Sequence, residues 1–173
     1  MKLIKKIAFV LIGVILLFIT SQISIPLKPI PLTLQTVGVM LIGLTFTRSL
    51  AALTVLLYLV LGGLGLPMFA NLRGGWAALF GPSGGYLWGF LAAVIIMTSI
   101  KPFLNGASFV KITCNCLLGT LVILLFGASW LSFFIGFKVA VSSGFYLFIA
   151  PGIIKALFAS TIYYLYVKIN ELL

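Results

Sequence analysis

The residue with the most chemical reach in this chain is Lys155, which follows Ala150-Pro-Gly-Ile-Ile in an otherwise apolar stretch. Proline suits the first turn of a helix, so this reading places Lys155 about one turn inside a final helix. A helix N-terminus already carries partial positive charge, and a lysine there is unfavourable without an anion. The single acid of the chain, Glu171, comes sixteen positions later, about 24 Å away along a helix axis. A ligand carboxylate would supply the missing partner, and the helix end would help to hold it. The competing reading is a lysine that snorkels to membrane headgroups.

Two other segments carry polar groups at positions that suit recognition. The first reads Ser24-Ile-Pro-Leu-Lys-Pro-Ile-Pro-Leu-Thr-Leu-Gln-Thr36. Its prolines, Pro26, Pro29 and Pro31, forbid a continuous helix and favour an extended, semi-rigid course. Such a segment suits a lid over a cavity mouth, or a plain connector. Thr33, Gln35 and Thr36 offer uncharged hydrogen-bonding groups where the next helix opens. The second segment runs from Gly62 to Tyr86 and is dense in glycine. Glycine lets backbone N–H groups approach a ligand closely, and Gly84 is a candidate for such a contact. Asn71, Arg73, Ser83 and Tyr86 add polar side chains to a mostly apolar stretch, the usual make-up of a small-ligand site. For Trp76 and Tyr86 the alternative is an aromatic belt at the membrane interface. Gln35, Asn71, Arg73, Ser83, Gly84, Tyr86 and Lys155 are therefore the candidate substrate-binding residues.

Composition excludes several other chemistries. Of 173 residues, 63% are hydrophobic and 7% charged, with eleven Lys and Arg against one acid and no His. A soluble domain is about a quarter charged, so this surface must be solvated by lipid. The basic residues are scattered singly between apolar runs, which fits membrane boundaries and not a nucleic-acid footprint. Without His or Asp there is no donor set for a metal and no embedded proton relay. No phosphate-binding loop of the form G-x-x-x-x-G-K-[ST] occurs, so ATP hydrolysis belongs elsewhere. An intramembrane enzyme would have to rest on a pair such as Ser83 and Lys155, with no motif to support it. Cys114 and Cys116, two apart on a helix, point to different sides and read as packing residues. The reading is a non-enzymatic protein without a cofactor.

These groups need scaffolding that lipid tolerates, which means helices. A crossing takes about 20 apolar residues. The runs predict helices near 4–23, 33–47, 50–65, 84–101, 108–127 and 151–169. The N-terminal run is signal-like but lacks a good small-residue cleavage site, so it reads as the first crossing. Segment 129–149 is apolar too, but Ser142, Ser143 and Gly144 interrupt it. It is expected as a loop or short helix lying partly in the membrane. The fold expected is all-α and integral to the membrane, a single domain over 1–173. Six transmembrane helices carry a Pro-rich first outer loop and a Gly-rich second outer loop. Lys2, Lys5, Lys6, Arg48, Lys101, Lys111 and Lys168 fall on one side, against Lys28, Arg73 and Lys138 with Lys155 near them. The positive-inside rule then places both termini in the cytoplasm of a bacterial cell.

The chain resembles the BioY biotin transporter family, the substrate-binding component of energy-coupling factor (ECF) importers. The likeness rests on Pro29-x-Pro31-x-Thr-x-Gln-Thr36, on Leu57-Tyr-Leu-x-Leu-Gly-Gly-x-Gly-Leu-Pro-Met-Phe-Ala70 and on Phe80-Gly-Pro-Ser-Gly-Gly-Tyr-Leu-x-Gly-Phe90. It implies six helices, a buried biotin site near the outer face, and partnership with a membrane coupling subunit and ATPase subunits. Biotin would be the transported ligand; a related subunit for another vitamin is the alternative. Two positions depart from the family pattern. Where the family has Pro-x-Asp-x-x-Lys, Lys155 matches the Lys but Gly152 replaces the Asp. Where its first helix has Ala-x-x-x-Ala for the coupling subunit, Ala8 is followed by Ile12, with Gly13 next.

Overall fold

The computed structural model describes residues 3–104 and 108–172. The first element, α1 (Leu3–Gln22), is unbroken and apolar from Ile7 to Ile19. The Pro-rich segment then folds into a small antiparallel ribbon, β1 (Ser24–Ile25) and β2 (Leu32–Thr33), with Ser24 opposite Thr33. Prolines around the ribbon cannot donate to a longer ladder, which limits it to two residues a strand. Two short helices come next, α2 (Gln35–Thr45) and α3 (Arg48–Gly63). The Gly-rich stretch holds a 3₁₀ turn (Ala70–Leu72) and α4 (Trp76–Phe80), and leads into α5 (Gly84–Ile100) and a second 3₁₀ turn (Lys101–Leu104). The C-terminal part contains α6 (Phe109–Ile135), α7 (Phe137–Ala140), a π-helical turn (Val141–Tyr146) and α8 (Leu147–Leu172).

Four of these helical stretches are long and apolar enough to cross a bilayer: Leu3–Gln22, Gly84–Phe103, Phe109–Ile135 and Phe137–Glu171. The chain is a multi-pass, predominantly helical membrane protein. Its exterior agrees with that: Ile4, Ile12, Phe133 and Ile154 are all well exposed. An apolar surface of this extent is stable in lipid and a liability in water.

The expected element map needs two corrections, both in the last third. Segment 129–149, expected as a loop or short helix, is helical on both sides of one turn, with α7 as a short helix within it. α6 runs on to Ile135 and the chain turns at Gly136, whose φ is +80°. Glycine reaches that left-handed conformation at little cost. The serines read as helix breakers are satisfied locally: Ser142 and Ser143 donate back to the Val139 carbonyl at 3.0 and 2.6 Å, a pattern helices accommodate. The second correction concerns Pro151. It lies inside α8 and does not begin a helix, so Lys155 does not sit near a helix N-terminus.

Packing ties the elements into one bundle. α5 lies along α6, α6 against α8, and α1 against α2 and α3, while α2 touches both α5 and α8. Leu17, Ile42, Val55, Tyr58, Val94 and Leu131 belong to one buried cluster. Met40, Leu44, Met97, Cys116, Ala156 and Ala159 form a second between α2, α5, α6 and α8. At the α2–α3 turn, Lys101 Nζ donates to the carbonyls of Thr45 and Phe46 at 2.8 and 3.2 Å. It thereby satisfies acceptors that the end of α2 leaves open.

Candidate functional site

The length of α2 explains where a cavity forms. Eleven residues span about 16 Å, roughly half the hydrocarbon thickness of a bilayer. The ribbon and the loop after α3 meet the first turn of α2, and irregular backbone in a membrane protein is tolerated where it lines a cavity. A cavity of about 350 Å³ lies here, within the range of small-ligand sites. Ile30, Pro31 and Thr33 contribute from the ribbon, and Gln35 and Thr36 from the first turn of α2. Phe69, Ala70, Arg73 and Gly74 come from the loop, and Ser83, Tyr86 and Phe90 from the start of α5 and its entry. Thr120, Ile123 and Leu124 on α6 and Phe148, Gly152 and Lys155 on α8 close the far wall.

The loop wall is held by side chains from α1 and α3. The Met68 carbonyl accepts from Tyr58 Oη at 2.6 Å and Ser21 Oγ at 2.8 Å. Gln22 clamps the next turn, with Nε2 donating to the Phe69 carbonyl at 3.2 Å and Oε1 accepting from Leu72 N at 3.0 Å. Between these anchors Asn71 and Leu72 adopt φ of +59° and +55°, an uncommon conformation for a branched residue such as leucine. On the other side, Trp130 Nε1 donates to the Gly81 carbonyl at 3.0 Å.

Two features define what the cavity can take. Gln35 Nε2 and Thr36 Oγ1 are buried with no hydrogen-bond partner among the described residues. A buried polar atom left unpaired costs about 1–3 kcal/mol, and both residues line the cavity. The charge is also one-sided. Lys155 and Arg73 line the cavity and no carboxylate does. The N-termini of α2 and α5 open onto it as well, adding partial positive charge. Glu171 is paired with Lys168 at 2.9 Å. The arrangement is one for a small, largely apolar anion with hydrogen-bonding groups.

The sequence candidates divide in two. Gln35, Arg73, Ser83, Tyr86 and Lys155 share the cavity wall; Asn71 and Gly84 do not. Asn71 is exposed, and its Oδ1 accepts from Ser24 Oγ at 3.1 Å, tying loop to ribbon. Gly84 is buried, and a Cβ there would collide with the Leu79 carbonyl, so it serves a tight turn. Tyr86 lines the cavity with its ring, while its hydroxyl donates to the Gly144 carbonyl at 2.7 Å. The helix ends that serve the site belong to α2 and α5 and not to the last helix. Sequence reasoning missed the apolar wall of Phe69, Phe90, Ile123 and Phe148, because apolar residues give no contrast in so apolar a chain.

Comparison with known proteins shows the family and the fold. The chain is 36% identical over 154 residues to the probable biotin transporter BioY of Rickettsia prowazekii (strain Madrid E), covering 89% of this chain and 79% of that one. It is 40% identical over 153 residues to the probable biotin transporter BioY of Pyrococcus horikoshii, covering 88% and 90% respectively. Its fold matches the 2.1 Å crystal structure of the S-component for biotin from an ECF-type ABC transporter. That match has a TM-score of 0.84 and 26% identity, over 95% of this chain and 92% of that one. The BioY family profile matches residues 1–171, and with relatives 36% and 40% identical over most of their length, this chain belongs to the BioY family.

Proposed function

We propose that this chain is the biotin-binding subunit of an ECF-type importer, holding the vitamin in the cavity between α2, α5, α6 and α8. The observation that carries the reading is a cavity with a lysine at one wall that has no carboxylate beside it among the described residues, and at another wall two polar atoms without a hydrogen-bond partner among those residues. Biotin offers a carboxylate, a polar ureido group and an apolar thiophane ring and chain. Lys155 takes the carboxylate, Gln35 Nε2 donates to the ureido carbonyl, and Thr36 Oγ1 serves a ureido N–H. Arg73 and Ser83 line the entrance side, and the phenyl rings of Phe69, Phe90 and Phe148 enclose the apolar part.

In this reading α1, α2, α3, α5, α6 and the α7–α8 stretch are the six crossings of the cytoplasmic membrane. Both termini and the α2–α3 turn face the cytoplasm, so Lys5, Lys6, Arg48, Lys101, Lys111 and Lys168 obey the positive-inside rule; Lys2 lies outside the described residues. The cavity then opens outward. With no nucleotide-binding loop in the chain, energy comes from a membrane coupling subunit and ATPase subunits.

Thiol labelling tests the cavity assignment, in a background where Cys114 and Cys116 are replaced by serine. Ser83→Cys should react with an aqueous thiol reagent and be protected by biotin. Asn71→Cys, on the outer surface, should react equally with and without the vitamin. The reverse pattern would move the site to the loop surface.

Gly152 gives a second test. A Cβ at this position would meet Thr120 Cγ2 at 2.7 Å, closer than real contacts allow. Gly152→Asp alone must therefore push the threonine methyl aside. Thr120→Ser removes that methyl and keeps the hydroxyl that donates to the Cys116 carbonyl at 3.0 Å. The pair Gly152→Asp/Thr120→Ser should bind biotin about tenfold more tightly than Thr120→Ser alone, the worth of one ureido acceptor in a site cleared of the clashing methyl. Equal affinities by calorimetry would mean that the acid turns away from the vitamin or pairs with Lys155, three residues on along the same helix face.

A further inference from the structure

Three cavity residues of α8, Phe148, Gly152 and Lys155, stand at i, i+4 and i+7, which puts them on one helix face. Whether that face meets the cavity depends on the rotation of α8 about its axis. Immediately before it lies the π-helical turn Val141–Tyr146. Such a turn carries one residue more than an α-helical one, so removing that residue would rotate α8 by about 100°. The register of the turn therefore decides which residues of α8 face the cavity and which face lipid. Ile153 and Ile154, adjacent to the cavity face, are exposed on the outside of the bundle.

One side chain reaches that π-helical turn from across the bundle. Tyr86, on α5, is only 7% exposed. Its hydroxyl donates to the carbonyl of Gly144, in the middle of the π turn, at 2.7 Å, and the bond is buried. Its ring lies against Phe148 with centroids 6.2 Å apart. The fit at the turn admits no side chain: a Cβ on Gly144 would lie 2.6 Å from Tyr86 Oη and 2.8 Å from Leu131 Cδ2. A Cβ on Gly127 of α6 would likewise collide with the ring itself. Tyr86 is thus seated against α6 at Gly127 and grips the last helical stretch at two points, Gly144 and Phe148.

We infer that Tyr86 is a positioning residue for recognition: through the Gly144 carbonyl it sets the π-turn register that turns Lys155 and Gly152 into the cavity. The hydroxyl acts on the helix and not on the ligand. This role rests on the reading of Lys155 as the carboxylate partner, and its test separates the two.

The primary measurement is the reaction of Lys155→Cys with an aqueous thiol reagent, in purified protein whose Cys114 and Cys116 are replaced by serine. Adding Tyr86→Phe, which keeps the ring and removes the donor, should slow labelling at position 155 about tenfold as the thiol leaves the cavity face. An unchanged labelling rate, in protein with unchanged thermal midpoint and chromatographic profile, would overturn the assignment. The second measurement is affinity for biotin and for biotin methyl ester. Tyr86→Phe should weaken biotin more than the ester, and that difference should vanish when Lys155→Ala is also present. Equal weakening of both, persisting without Lys155, would make the tyrosine hydroxyl a direct or general structural contributor and overturn its positioning role. If labelling responds to Tyr86→Phe but Lys155→Ala leaves the preference for biotin over its ester intact, the register role stands and the carboxylate assignment fails.

Discussion

Replacing Lys155 by alanine should lower the affinity for biotin by about ten- to a hundredfold, and should leave biotin methyl ester nearly unaffected. A charge-assisted hydrogen bond contributes about 1.5–3 kcal/mol, and each 1.4 kcal/mol is about a factor of ten. Arg73 also lines the cavity, so the choice between the two cations has to be argued. Arg73 is exposed, whereas Lys155 is half-buried among α2, α6 and α8. An ion pair at 4 Å is worth about 1 kcal/mol in water and about 4 kcal/mol at the lower effective dielectric near a protein. Lys155 therefore dominates, and Arg73→Ala should cost biotin well under tenfold, as exposed pairs generally do. The check is calorimetric titration of both variants with acid and ester. Equal losses for acid and ester in Lys155→Ala would show that the lysine does not read the carboxylate.

The second large effect is expected at Gly85, in the contact between α5 and α6. A Cβ there would collide with Trp130 Cβ and lie 2.7 Å from the Phe126 carbonyl oxygen. Neither atom can step aside in the way a flexible chain end does, since one is backbone and the other is fixed to it. Gly85→Leu forces the two helices apart, which overpacks a core site at a cost of about 3 kcal/mol or more. The damage reaches the site, because Trp130 also holds the Gly81 carbonyl on the cavity wall. The thermal midpoint in detergent should fall by several degrees and biotin affinity should fall with it. Leu125→Ala, on a lipid-facing and exposed position of α6, should stay within about 0.5 kcal/mol. A Gly85→Leu protein as stable as that control would mean that α5 and α6 do not approach so closely.

What the sequence reveals and what it hides have separate physical causes. Polar residues and helix breakers stand out against an apolar background, so the Pro-rich ribbon, Gln35, Arg73, Ser83 and Lys155 are all legible. The Gly-rich segment is legible as a whole, but not which way each residue faces: Asn71 turns outward because its φ of +59° belongs to a clamped turn. The helical course of 129–149 is hidden because Ser142 and Ser143 look like breaks. Each donates to a carbonyl three or four residues back, which a string of residue types does not disclose. Gly136 is the usable signal, a glycine between two apolar runs where a helix ends. Pro151 misleads, since proline more often opens a helix than sits inside one. The Tyr86–Gly144 bond joins residues 58 positions apart, and no local pattern announces it.

Equilibrium binding to the purified chain, with biotin competed against other carboxylated vitamins and against biotin methyl ester, tests the central claim most directly. The account predicts one biotin per chain, a clear preference for the free acid over the ester, and no displacement by the other vitamins in large excess. Saturable binding of a different vitamin, or biotin binding indifferent to its carboxylate, would contradict it.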